Sequence, residues 1–207
     1  MKEIITILII ALCVIPLTGC FTQEIVDNEF TYEQYSLGDR IGSIQVSLPP
    51  GERRGTQVRV NIYPPTHNVM GTYTRIFYNE TVDVFINRYL DEKGPYRIEY
   101  ETDDFTANRY FFVGETPENV AFEVQSCTIN NKRLEINIKN IGREAGKLYI
   151  VVVGEGKTKT AGVNHYNREY GRDTTIIRNG YDYTYSTYVG PGNLKVFLNE
   201  VVYSIEE

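Results

Sequence analysis

Apolar residues fall at every second position along most of this chain, and turn residues cut the pattern into short runs. Successive side chains of an extended strand point to opposite faces, so a period of two gives one buried face and one solvated face. Ile44, Val46 and Leu48 alternate up to Pro49-Pro50-Gly51, and Val58, Val60 and Ile62 alternate up to Pro64-Pro65. Tyr73 to Tyr78 follow, then Val82, Val84 and Ile86, then Tyr96, Ile98 and Tyr100, then Tyr110 to Val113. Beyond Thr116-Pro117-Glu118-Asn119 the runs are Val120 to Val124, Leu134 to Ile138, Leu148 to Val153, Thr175 to Arg178, Tyr181 to Tyr185, Leu194 to Leu198 and Val201 to Ile205. None of this keeps a helical period over three turns. Short strands broken by turns every 8–12 residues or so (roughly) predict an all-β fold, a sandwich or a barrel.

The N-terminus follows another rule. Lys2 precedes Ile4 to Leu17, an apolar run interrupted only by Thr6 and Pro16. A bilayer crossing takes about 20 apolar residues, so this run is short for a span and suits an export signal. It ends in Leu17-Thr18-Gly19-Cys20, which resembles the lipobox of exported prokaryotic lipoproteins. The resemblance implies that residues 1–19 are a signal peptide and that Cys20 carries a diacylglycerol with palmitate-type acyl chains. The lipid would hold the chain on the extracytoplasmic face of the cell membrane. The other reading is an uncleaved anchor helix with an incidental cysteine, which also leaves the remaining chain outside the cytoplasm.

Removing the signal would leave residues 20–207, enough for one large domain or two small ones. Of three cysteines, Cys13 goes with the signal and Cys20 takes lipid, so Cys127 has no partner for an intrachain disulfide and the fold relies on its core. Cys127 sits in an alternating run, which predicts a buried, inert thiol. The net charge of −6 is uneven: residues 20–118 hold 9 basic and 16 acidic side chains, residues 119–207 hold 11 and 10. Neither half is basic enough for a phosphate backbone, so nucleic acid is set aside as a partner.

Residues 20–37 read as a tether, 38–116 as a first β-sandwich domain and 119–207 as a second. Internal matches support two related halves. Gly71-x-x-Thr74-x-Ile76-x-x-Asn79 recurs as Gly171-x-x-Thr174-x-Ile176-x-x-Asn179. Val58-x-Val60-Asn61-Ile62 pairs with Leu134-x-Ile136-Asn137-Ile138, and Gly94-x-Tyr96-Arg97-Ile98 with Gly192-x-Leu194-Lys195-Val196. One continuous sandwich with coincidental likeness is the other reading. Leu134 to Gly142, followed by Gly146 to Ile150, resembles the strand–Asn-x-Gly–strand signature of immunoglobulin-like surface domains of the CARDB type. The Asn140-Ile141-Gly142 step reads as a hairpin turn whose residues tolerate positive φ. The resemblance implies tandem immunoglobulin-like sandwiches of seven strands, with a binding or spacer role and no catalytic residue. Pro64-Pro65 stands where the first half would need that turn.

Little in the chain points to catalysis or a cofactor, and the expectation is a non-enzymatic module without metal. His67 and Met70 offer an imidazole and a thioether, but no third soft ligand beyond Cys127 accompanies them. Asp91-Glu92, Glu99, Glu101 and Asp103-Asp104 match no calcium-loop spacing and read as a solvated face. The stretch Gly154 to Asp173 is long for a compact domain and carries Lys157, Lys159, His165, Tyr166, Arg168, Tyr170 and Arg172, which makes it the candidate binding surface. A further hairpin, with Lys157 to Thr160 as one strand, is compatible with that role. Tyr181, Tyr183 and Tyr185, with Tyr188 beyond, would form either ordinary packing or a sugar platform. Asn79-Glu80-Thr81 is a glycosylation sequon by pattern. The expected partner is an extracytoplasmic protein or envelope component, with a glycan as the alternative.

Overall fold

The computed structural model describes residues 34–49, 52–66 and 68–206, and the backbone of Phe21–Thr22. Cys20 and His67 lie outside the described residues. Among these residues the chain is all β, with no helix. The first half holds β2 (Gln34–Tyr35), β3 (Arg40–Ser47), β4 (Gln57–Tyr63), β5 (Gly71–Ile76), β6 (Thr81–Tyr89), β7 (Gly94–Glu101) and β8 (Phe105–Val113), preceded by β1 (Phe21–Thr22). The second holds β9 (Phe122–Asn130), β10 (Arg133–Asn140), β11 (Gly146–Gly154), β12 (Lys157–Thr160), β13 (Val163–Tyr166), β14 (Glu169–Ile177), β15 (Asp182–Tyr188), β16 (Leu194–Leu198) and β17 (Val201–Ile205).

Each half closes two sheets over a core. In the second, β15-β10-β9 faces β14-β11-β16-β17, a sheet whose β17 edge is extended by β1 from the N-terminal segment. Leu134, Ile136 and Ile138 from one sheet meet Leu148, Ile150 and Val152 from the other, all essentially inaccessible. In the first half, β3-β6 faces β5-β4-β7-β8, and Val46 and Val84 meet Val60, Ile62 and Ile98. Burying each such aliphatic side chain contributes roughly 1.5–3 kcal/mol. Cys127 lies in the second core, opposite Ile136, and burial pushes its thiol up to about 12, so it is an inert core residue.

The two halves share a strand order, and it tests the internal matches. β5 and β14, which carry the Gly-x-x-Thr motif, hydrogen-bond to β4 and β11 respectively. β7 and β16 each lie on the other side of that strand. These two sequence matches therefore join equivalent strands. The third does not: β10 occupies the place of β3, and β4 corresponds to β11.

The Asn140-Ile141-Gly142 step is also not a hairpin. β10 and β11 belong to opposing sheets, so residues 141–145 cross the sandwich, and neither Asn140 nor Gly142 has positive φ. Both strands bury an apolar face, and those faces can meet only if the chain steps from one sheet to the other, about 10 Å away. Asn140 serves the crossing by hydrogen bonding: its amide donates to the Glu144 and Ile177 carbonyls at 2.8 Å each, and its oxygen accepts from Gly142 N at 2.9 Å. The first-half counterpart is the β3–β4 connection with Pro49, whereas Pro64-Pro65 lies between β4 and β5.

Both ends of the expected tether are engaged. Phe21–Thr22 pairs with β17, and Gln34–Tyr35 runs parallel to β8 at Phe112–Val113.

The runs without alternation mark where the halves meet. β8 turns Phe105, Ala107, Phe111 and Val113 into its own core. Its other face places Tyr110 in a cluster with Val151, Val153 and Phe197. Phe112 meets the Tyr149 ring edge-on at 6.0 Å, and the Tyr149 hydroxyl donates to the Lys93 carbonyl at 2.5 Å. β8 and β11 are thus covered on both faces, which requires apolar residues at consecutive positions. Gly94 opens β7 at φ 132°, and a Cβ there would come within 2.7 Å of the Tyr149 ring. Gly94→Ala is expected to destabilise the chain by about 2–4 kcal/mol, from backbone strain and overpacking together. Urea unfolding of the variant measures this; a change below about 0.5 kcal/mol would contradict the close contact.

Candidate functional site

The stretch Gly154 to Asp173 contains a hairpin, β12 and β13, closed by Ala161-Gly162, both at positive φ as a two-residue turn of the favoured twist requires. The hairpin leaves its own half. β13 runs parallel to β8 of the first half and pairs Asn164 with Phe105, His165 with Thr106 and Tyr166 with Ala107. It therefore extends the first half's sheet to β12-β13-β8-β7-β4-β5. Tyr166, only 8% exposed, joins the first half's core edge-on to Phe105 at 6.2 Å. Its hydroxyl donates to Glu52 Oε1 at 2.8 Å, and Asn164 Nδ2 donates to the same oxygen at 3.2 Å.

Beside the hairpin lies a polar cluster. Between β11 and β14 the register skips Tyr170, pairing Val152 with Gly171 and Val153 with Glu169. Such a bulge re-aims the side chains around it. Glu169 here accepts from Arg172 Nε and Nη2 at 2.7 and 2.6 Å, from Tyr110 Oη at 2.7 Å and from Arg97 Nη1 at 3.4 Å. Tyr110 and Arg97 belong to the first half. Arg97 also pairs with Glu99 at 3.6 Å and stacks over the Tyr63 ring at 4.2 Å. Burial pushes the Glu169 carboxyl up, but the Arg172 hydrogen bonds and charge, then Tyr110 and Arg97, outweigh it and leave the pKa below the ordinary value. Burial, with Glu169 next, raises the Tyr110 phenol well above its usual range. The arrangement fixes charges rather than poising a group for proton transfer.

The sequence-predicted residues divide accordingly. Tyr166 and Arg172 are held inside the junction, and Tyr170 packs against the second core. His165 is half-buried on β13, and burial, then the Arg168 charge, lowers its pKa. Lys157, Lys159 and Arg168 remain exposed, with Lys157 Nζ 5.3 Å above the Tyr166 ring and Arg168 donating to Thr160 Oγ1 at 3.2 Å. Sequence reasoning missed Glu52, Arg97, Tyr110 and Glu169. The signal for a junction was the unbroken apolar runs in β8 and β11.

Other candidates disperse. Tyr181 and Tyr188 are exposed, Tyr183 is half-buried with its hydroxyl on Asp173, and Tyr185 is buried opposite Ile136, so the four make no flat row. Glu99 binds Tyr63, Asn61 and Arg97, whereas Glu101 binds Arg59, so those carboxylates do not converge. Among the described residues no three of His, Cys, Asp and Glu gather as a metal site. Met70 packs against the first core.

No protein-family model matches the chain, and no curated protein does. Similar solved structures include Salmonella alpha-2-macroglobulin reacted with methylamine, at 14% identity and TM-score 0.34, covering 85% of this chain and 14% of that one. The BSP domain of a biofilm associated protein is 16% identical at TM-score 0.30, covering 81% and 26%. A DUF3823 family protein from Bacteroides ovatus is 13% identical at TM-score 0.21, covering 81% and 96%. This chain thus spans about a seventh of the macroglobulin chain it resembles.

Proposed function

We propose that this chain is an exported lipoprotein, anchored through Cys20, that acts as a binding or structural module for a protein or other envelope component. The two sandwiches, divided near residues 117–118, work as one presenting body. One observation carries this reading: β13 of the second half completes the first half's sheet. A strand shared across the junction resists bending where a plain linker would not. The solvent side of the same hairpin offers Lys157, Lys159 and Arg168, a cationic edge suited to an acidic partner surface. Lysines on an exposed edge strand also block unwanted strand pairing.

The test is cross-linking on intact cells with a membrane-impermeant, amine-reactive reagent. The expected result is a discrete adduct through Lys157 or Lys159, lost when Lys157, Lys159 and Arg168 are all changed to Glu. Adducts unchanged by that triple variant would remove the hairpin as the binding surface.

A further inference from the structure

The repeated Gly-x-x-Thr motif ends in an asparagine in each half, and the two asparagines are used differently. Asn179 lies in the β14–β15 turn, followed by Gly180 at φ 76° and Tyr181, and its amide donates to the Arg143 carbonyl at 3.1 Å. That side chain is occupied in holding the turn. Asn79 lies in the matching β5–β6 turn, exposed, and its amide makes no hydrogen bond among the described residues. Glu80 and Thr81 follow it, so the first half carries Asn-x-Thr where the second carries Asn-Gly-Tyr. This is the only Asn-x-Ser/Thr triplet with x other than Pro in the chain. The turn is held from outside: the Leu48 amide donates to the Glu80 carbonyl at 2.7 Å and the Gly55 amide to the Phe77 carbonyl at 2.6 Å. The neighbouring Tyr78 is 74% exposed and Thr81 is exposed as well, so the acceptor amide and the hydroxyl two residues on are both open to an enzyme.

We propose that Asn79 is an acceptor for an N-linked glycan, taken from a lipid-pyrophosphate-linked oligosaccharide. The Asn79 Nδ2 forms a bond to the anomeric carbon of the reducing-end sugar. The bond from that carbon to the pyrophosphate oxygen breaks, the lipid pyrophosphate leaves, and the amide gives up one proton to the transferase. Occurrence in the cell rests on the proposed export; the chemistry at the turn does not.

The test therefore avoids export. The purified full chain in detergent is incubated with an oligosaccharyltransferase and a lipid-pyrophosphate oligosaccharide, and intact mass and peptide mapping are read. The expected result is one glycan on the Asn79 peptide of the folded chain, reduced at least roughly tenfold in Asn79→Gln and in Thr81→Ala but kept in Thr81→Ser. No adduct, an adduct that persists in Asn79→Gln, or an adduct formed only on urea-unfolded chain would overturn the site.

Discussion

Glu169→Ala is expected to cost the fold about 3–5 kcal/mol, the range for removing one partner of a buried ion pair. Glu169 and Arg172 are 14% and 9% exposed at the side chain, and Arg97 is 19% exposed. Removal takes from Arg172 and the Tyr110 hydroxyl the carboxylate they share, while Arg97 keeps Glu99 at 3.6 Å. Glu169→Gln keeps the shape but loses the charge, and should fall between the variant and the parent. The pH dependence has a definite sign. Because the folded-state pKa of Glu169 is depressed, its contribution is fully present above the unfolded carboxylate value and is lost as pH falls through the folded one. The Ala variant should lose that part of the acid sensitivity. Urea titrations at neutral and acid pH read both effects; a neutral-pH loss under about 1 kcal/mol would mean the cluster is only a surface pair.

Replacing the hairpin with a short turn is the second large perturbation. The first half supplies the design, since it joins β4 to β5 with residues 64–70, against 155–168 between β11 and β14. Loss of the hairpin removes Tyr166 from the first core and uncovers the β8 edge at Phe105–Ala107. Exposure of one large aromatic site alone costs roughly 3–5 kcal/mol by analogy with truncation to alanine, and an uncovered edge invites association. The expected readout is faster amide exchange along 105–107 and concentration-dependent aggregation, while the second core stays protected. Unchanged exchange at those residues would show that the shared strand does not hold the halves.

The period-two pattern made the strands and cores legible because both sandwiches solvate one face of most strands. It predicted Cys127 as a core thiol for the same reason. Where that rule fails, the reading failed with it. The Leu134–Ile138 and Leu148–Val153 strands read as a hairpin because strands close in sequence usually pair, yet their apolar faces oppose across the sandwich. Val163 to Tyr166 reads as polar loop, and nothing local says that Tyr166 will enter a core some 60 residues upstream, beside Phe105. Likewise Arg97 and Glu169 lie 72 residues apart, so their pairing has no local signature. Residues 155–168 form a longer connection than their first-half counterpart, 64–70, and Arg168, Tyr170 and Arg172 bracket Glu169.

A module for an envelope partner must first reach the envelope. Intact-mass analysis of the product recovered from its host's membrane fraction is the direct measurement. The expected species begins at Cys20, carries a thioether-linked diacylglycerol, and disappears from the membrane when Cys20 is changed to Ser. A product that keeps residues 1–19, without acyl groups and soluble in the cytosol, would contradict it.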